Sequence, residues 1–190
     1  MVPELLEETY EAFTAHVRAL APDGLERPTR AEAWNVRQLL FHQLLDAQRA
    51  LVTFATPATG EPDVDEVTYW RPFRPTEEGD PDGGAHVRFV VAAADAYDGP
   101  AGLVRQWTVT SRAAAHAARR ADPAGRVATQ GHVLTVPDFV STLLVEATIH
   151  LLDAGGTPPA AAVAHTRRVL EELTGAPLPP GSDAEVLRLR

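Results

Sequence analysis

Two segments of this 190-residue sequence contain the side chains best suited to bind a metal ion. Glu146 and His150 are four residues apart in a strongly apolar stretch, so on a helix they share one face, with Cβ atoms roughly 6 Å apart. His42 lies in a second apolar stretch, residues 39–45. A carboxylate and imidazoles in apolar helices cost free energy unless they are paired or coordinated. The three side chains are therefore predicted to converge on one divalent metal ion.

Simpler interpretations of each part of this set stay open. Taken alone, Glu146 and His150 could form a hydrogen bond with each other inside the core, or they could lie on a helix face open to solvent. Taken alone, His42 could be a core histidine whose ring nitrogens have hydrogen-bond partners within the protein. Three nitrogen and oxygen ligands with an open position are typical of catalytic zinc, so zinc is the favoured ion. Asp46 and Asp153, about one turn beyond the two histidines, are predicted to orient ligands or contact a substrate.

The remaining histidines are weaker candidates. His86 and His132 lie at or near predicted loops and are kept as residues that could approach the site. His16, His116 and His165 have polar, small or charged neighbours and are interpreted as solvated. The sequence contains no phosphate-binding loop, dinucleotide fingerprint or nucleophile elbow. The metal site is therefore its main chemical feature.

The elements that must position these residues are helical. Apolar residues recur at three- and four-residue spacing over residues 3–20, 36–55, 85–121, 139–154 and 158–174, which predicts five helices. Asn35 and Gln38 have the spacing of a capping box, and Asp138 is expected to cap the fourth helix. Gly99-Pro100 is expected to kink the third helix or divide it. About five helices and a single strand-like turn near residues 126–137 predict an all-α four-helix bundle with an additional C-terminal helix.

This bundle is expected to be one domain over residues 1–190, with residues 175–190 as a tail. Residues 56–84 form a long loop rich in proline, glycine and acids, and long loops are often functional. Its apolar segment Tyr69-Trp70-Arg71-Pro72-Phe73 either covers a cleft or simply anchors the loop.

Composition excludes several classes of partner. The net charge is -9 and no basic stripe is present, so nucleic acid is not expected to bind. There is no cysteine, so any thiol chemistry must use a small molecule. No signal peptide and no membrane-spanning apolar run are evident, and a cytoplasmic protein without a membrane partner is expected.

Three stretches resemble a known family. They are AWNVRQLLFHQLLDAQRAL (33–51), VPDFVSTLLVEATIHLLDAGG (136–156) and HTRRVLEELTGAPLP (165–179). A tryptophan at a helix start, a histidine eight residues on and a later Glu-x-x-x-His-x-x-Asp resemble the metal-binding domain of the mycothiol-dependent maleylpyruvate isomerase family. That family belongs to the DinB-like superfamily of four-helix bundles.

The resemblance implies a ligand set and a cosubstrate. His42, Glu146 and His150 match the three zinc ligands of the family, and the open position of the zinc would accept mycothiol or a similar thiol. The implied reaction is isomerisation or transfer of the thiol sulfur to a small electrophile. The isomerase itself has an additional C-terminal domain that the resemblance does not include. Metal-assisted hydrolysis and a non-catalytic metal-binding module therefore stay as alternatives, and a homodimer is expected only by analogy with similar bundles.

Overall fold

Helices make up most of the described structure. The computed structural model describes residues 1–20, 22–31, 34–73, 83–97 and 99–179. These ranges contain α1 (Val2–Ala19), α2 (Val36–Phe54), α3 (Gly83–Asp95), α4 (Gly99–Arg120), α5 (Val136–Asp153) and α6 (Ala160–Thr174). Two short 3-10 helices (Pro22–Glu26 and Thr68–Phe73) and a hairpin of β1 (Arg126–Thr129) and β2 (His132–Thr135) complete them. The prediction of an all-α protein is confirmed.

Four helices form the bundle. Helices α1, α2, α4 and α5 pack against one another, α6 lies against α5 and α1, and α3 lies against α2. The predicted four-helix bundle with an additional C-terminal helix is therefore present. The loop at 56–84 is described only in part, because residues 74–82 lie outside the described ranges, as do residues 180–190 of the predicted tail. Leu178, at the start of that tail, is buried.

Helix α5 is the central element. Thirteen of its eighteen residues are buried, and a helix that is apolar nearly all round belongs in the middle of a bundle. Although α5 is so apolar, no helix among the described residues is both long and apolar enough to cross a membrane. Its position means that polar groups on α5, including Glu146 and His150, face other helices rather than bulk water.

Local signals account for two of the helix boundaries. The capping box at α2 is formed as predicted: Asn35 Oδ1 accepts from the Gln38 backbone N–H at 2.9 Å, and Gln38 Oε1 accepts from the Asn35 N–H at 3.0 Å. The predicted interruption at Gly99-Pro100 divides α3 from α4, and Gly99 has a φ of +67°, which glycine adopts at little cost.

The predicted cap of α5 was wrong by three residues. Thr135, not Asp138, is the N-cap, and its hydroxyl oxygen accepts from the Asp138 N–H at 3.2 Å. Pro137 explains the difference, because proline is favoured in the first helical turn and does not require the helix to begin after it. Asp138 lies inside that first turn, where its charge is favourable for the helix dipole.

The hairpin occupies the segment predicted as a strand-like turn. Val127 pairs with Leu134 and Thr129 with His132, so only Gln130 and Gly131 form the turn. Both have positive φ, +48° and +81°, as a type I′ turn requires. The hairpin therefore ends in a tight turn with a non-glycine residue in the left-handed region.

Candidate metal centre

Helix α2 brings His42 to the interior of the bundle. The capping box begins the helix at Val36, and Leu39, Leu40 and Leu44 are fully buried around the histidine. The Trp34 ring lies 4.9 Å from the His42 ring, centroid to centroid, at an angle of 30°. A partly buried imidazole between an indole ring and a leucine-rich helix has little freedom to rotate away from the site.

Helix α5 brings the other two side chains to the same place. Glu146 Oε2 lies 3.0 Å from His150 Nε2, and the two side chains are only 13% and 7% exposed. The ring of His150 lies 4.9 Å from that of His42, nearly perpendicular to it. One ligand atom from each of His42, Glu146 and His150 lies within 4.8 Å of the others.

This donor set fits a divalent metal ion. Zinc bonds to nitrogen and oxygen are about 2.1 Å long, so small side-chain rotations bring all three atoms onto one ion. His150 Nδ1 also lies 3.1 Å from Asp153 Oδ2. In the neutral tautomer that donates its Nδ1 proton to Asp153, the lone pair of Nε2 faces the Glu146 carboxylate. Two lone-pair atoms 3.0 Å apart need a cation or a proton between them.

The charge state of His42 suits metal binding. Burial is the largest cause that lowers its pKa, to about 4, with a further lowering by His150; Asp46 and Glu146 act in the opposite direction. The ring is therefore neutral at neutral pH, and a metal ion does not have to displace a proton from it.

The two predicted supporting aspartates have different surroundings. Asp153 contacts the ring of His150 directly, which fixes the tautomer of that histidine. Asp46 instead pairs with Arg49, whose Nη2 lies 3.2 Å from Asp46 Oδ1. Asp46 also lines the cavity next to the three candidate ligands, so it is placed to contact a substrate.

The other histidines divide into two groups. His86, on α3, reaches the site, with Nε2 3.4 Å from His42 Nδ1. His132 instead pairs with Asp63 in the hairpin region. The interpretation of His16 and His165 as solvated was wrong, because His16 Nε2 donates to the Ala154 carbonyl at 3.0 Å and His165 Nε2 lies 2.6 Å from Ser141 Oγ. His116 is exposed.

A cavity of about 560 Å³ opens onto the candidate ligands, a volume typical of small-molecule sites. It is lined by aromatic rings and by polar side chains, among them Trp34, Tyr69, Trp70, Asp46, Arg49 and Gln130. Tyr69 and Trp70 are buried, so the aromatic segment of the long loop both anchors the loop and forms a wall of the cavity.

Sequence reasoning missed Arg49 and Gln130 as residues of the site. Arg49 lies seven residues after His42, two helical turns along the same face, and this spacing was a usable signal. Gln130 is brought to the cavity by the hairpin turn, whereas the sequence pattern there indicated only a strand-like segment.

Together, the fold and the donor set define a DinB-like helical bundle with a candidate metal site. The chain matches the family model described as the mycothiol maleylpyruvate isomerase N-terminal domain over residues 6–155. That match includes most of the chain, and the protein belongs to this family, which confirms the resemblance found in the sequence. No curated protein and no solved structure gives a significant match to the chain.

Proposed function

We propose that the protein is a metal-dependent enzyme that uses a small thiol. His42, Glu146 and His150 would hold a divalent ion, with zinc the favoured metal, and mycothiol or a similar thiol would be the cosubstrate. An ion at this place lowers the pKa of a bound thiol and so supplies a thiolate at neutral pH. The observation that carries the proposal is the convergence of three ligand atoms within 4.8 Å at an open cavity.

The chain's own residues would prepare the site for this chemistry. His42 offers a neutral ring, because burial lowers its pKa to about 4. Asp153 holds the Nδ1 proton of His150 and so directs Nε2 toward the ion. Trp34, Tyr69 and Trp70 line the cavity with aromatic surface, which limits the access of water to a reactive thiolate.

Two reactions, isomerisation and S-transfer, both begin with formation of a carbon–sulfur bond and differ in whether that bond is later broken. In isomerisation the sulfur adds to an electrophilic carbon–carbon double bond. The carbon–carbon bond, which is now single, rotates, and the thiol then leaves unchanged as the double bond re-forms. In S-transfer the carbon–sulfur bond is kept, the neighbouring carbon takes up a proton in place of the one that the thiol lost, and a thioether is released. The family description, which names a mycothiol maleylpyruvate isomerase, supports isomerisation. We propose that the reaction takes place in the reducing cytoplasm, where small thiols stay reduced.

Metal-assisted hydrolysis and a non-catalytic binding module use the same ligands and are the alternatives to be tested. An open cavity supports an enzyme over a sealed structural metal site, because catalytic sites keep one position accessible.

Metal analysis tests the proposed site. Purified wild-type protein should contain about one equivalent of zinc, and His150→Ala should lose it, while His116→Ala, an exposed histidine on α4, should retain it. Equal metal content in all three proteins would overturn the metal site. Turnover of maleylpyruvate and of a panel of electrophiles with and without mycothiol then tests the reaction. No dependence on thiol would reject it in favour of hydrolysis or a binding role.

A further inference from the structure

The wall of the cavity formed by α2 contains a guanidinium group that the metal chemistry does not require. Arg49 lies on the same face of α2 as His42, and its side chain is 17% exposed. Its Nε and Nη2 atoms both donate to Asp46 Oδ1, at 3.3 and 3.2 Å, and its guanidinium carbon lies 5.6 Å from the centroid of the Phe139 ring. The ion pair and the aromatic face hold the guanidinium in one orientation.

Arg49 is not saturated with hydrogen bonds. Its Nη1 atom is buried and has no hydrogen-bond partner, and an unmade bond from a buried donor is costly. Among the described residues that line the cavity, Arg49 has the only permanently charged basic side chain. Its charge also interacts with Glu146 and Tyr69, which places it close to the candidate ligands.

A second donor reaches the cavity from the hairpin turn. Gln130 is the one residue other than glycine with a positive φ in the described parts of the chain, and strain of this kind is concentrated at functional sites. Its Oε1 accepts a hydrogen bond from the Tyr69 hydroxyl, which leaves the amide nitrogen of Gln130 available as a donor. The strained turn thus places a neutral N–H group in the wall that also contains Arg49.

We propose that Arg49 and Gln130 form an oxyanion subsite for electrophiles whose double bond is conjugated to a carbonyl group. When a thiolate adds to such a double bond, a carbon–sulfur bond forms and the π electrons shift to the carbonyl oxygen as an enolate. Donors fixed where this charge develops lower the barrier most. In isomerisation the enolate collapses, the carbon–sulfur bond breaks and the thiolate is regenerated, so no further reactant is needed.

This inference rests on the proposed function for its thiol, but the subsite can be tested by binding alone. The probe is 4-nitrophenol, whose anion resembles an enolate oxygen and whose absorbance reports ionisation. It is titrated into the cobalt-substituted protein with the open metal position saturated by 2-mercaptoethanol. Wild-type protein should bind the phenolate at least ten-fold more tightly than the neutral 4-nitroanisole. Arg49→Met should abolish this preference and Gln130→Asn, with its shorter side chain, should weaken it.

The controls separate the subsite from folding and from the metal. Arg105→Met changes an exposed arginine on α4 and should keep the full preference. If Arg49→Met does not fold, the subsite is still tested by Gln130→Asn and by the relative affinity of the wild-type protein for the two probes. Equal binding of the two probes to the wild-type protein, or an unchanged preference in the variants, would overturn the subsite. The cobalt–thiolate absorption of the same sample reports separately on the proposed thiol site.

Turnover supplies the second readout. Both variants should lower the rate with a carbonyl-conjugated electrophile by on the order of 100-fold. Their rates with benzyl chloride, from which a thiolate displaces chloride at a saturated carbon without placing charge on an oxygen atom, should change far less. Equal losses with both electrophiles would contradict a role at the carbonyl oxygen.

Discussion

The Nδ1 atom of His150 lies 3.1 Å from Oδ2 of Asp153, three residues further along α5. Both side chains are largely buried, at 7% and 10% exposure, so the contact is shielded from water. Pairing at Nδ1 determines which ring nitrogen is left to face Glu146 and His42. The spacing Glu146, His150, Asp153 thus places a candidate ligand pair and its orienting carboxylate on one stretch of helix.

Removal of the orienting carboxylate should weaken metal binding without abolishing it. Asp153→Asn is expected to lower zinc affinity by about 10- to 100-fold, because the amide no longer fixes the tautomer of His150. Competition with a chromophoric chelator measures the affinity. Asp23→Asn, at an exposed position, is the matched control. An affinity for Asp153→Asn equal to that of the control would show that the contact has no role in metal binding.

Metal removal should destabilise the wild-type protein. An ion that binds only the folded state adds about 3 kcal/mol to the free energy of unfolding when its free concentration is 100 times the dissociation constant. Treatment with a chelator should therefore lower the melting temperature of the wild-type protein. The same treatment should leave the melting temperature of His150→Ala unchanged. A chelator-induced drop of equal size in both proteins would place the bound metal elsewhere.

The stability of the metal-free protein should fall in mild acid because of His42. Burial lowers the pKa of this residue from about 6.5 to about 4. Between these values the unfolded chain binds a proton at residue 42 that the folded chain does not, so the free energy of unfolding decreases as the pH falls through this window. Urea denaturation at several pH values measures the slope. His42→Gln should have a shallower slope and His116→Gln an unchanged one; identical slopes in all three proteins would contradict the assignment.

The stability of the protein should depend on how well the residue at position 130 tolerates a positive φ. Gln130 has a φ of +48°, a region that asparagine tolerates and alanine disfavours by about 1 kcal/mol. Gln130→Asn and Gln130→Ala both shorten the side chain that contacts Tyr69. The free energy of unfolding, measured by urea denaturation, should therefore be about 1 kcal/mol lower for Gln130→Ala than for Gln130→Asn. Equal stability of the two variants would mean that the turn relaxes out of the left-handed region.

Much of the architecture was predictable because the relevant signals are short in range. The capping box at Asn35 and Gln38, the division at Gly99-Pro100 and the spacing of Glu146 and His150 all depend on residues within about one helical turn. Helix periodicity places such residues on known faces without reference to the rest of the chain. The wrong cap at Asp138 also concerns a short-range signal, because Thr135, three residues earlier, is a residue type that also caps helices and is the N-cap in the structure.

The contacts that complete the cavity depend on which distant segments pack together. His42 and His150 are more than one hundred positions apart, and their convergence could be inferred because both helices are too apolar to lie at the surface and because both segments resemble those of a known metal-binding family. Nothing local indicated that His165 would meet Ser141, or that the turn at Gln130 would reach Tyr69. Such pairings follow from the packing of whole elements. Sequence periodicity therefore specified the faces of the helices, whereas the packing of α2, α5 and the hairpin determined which side chains share the cavity.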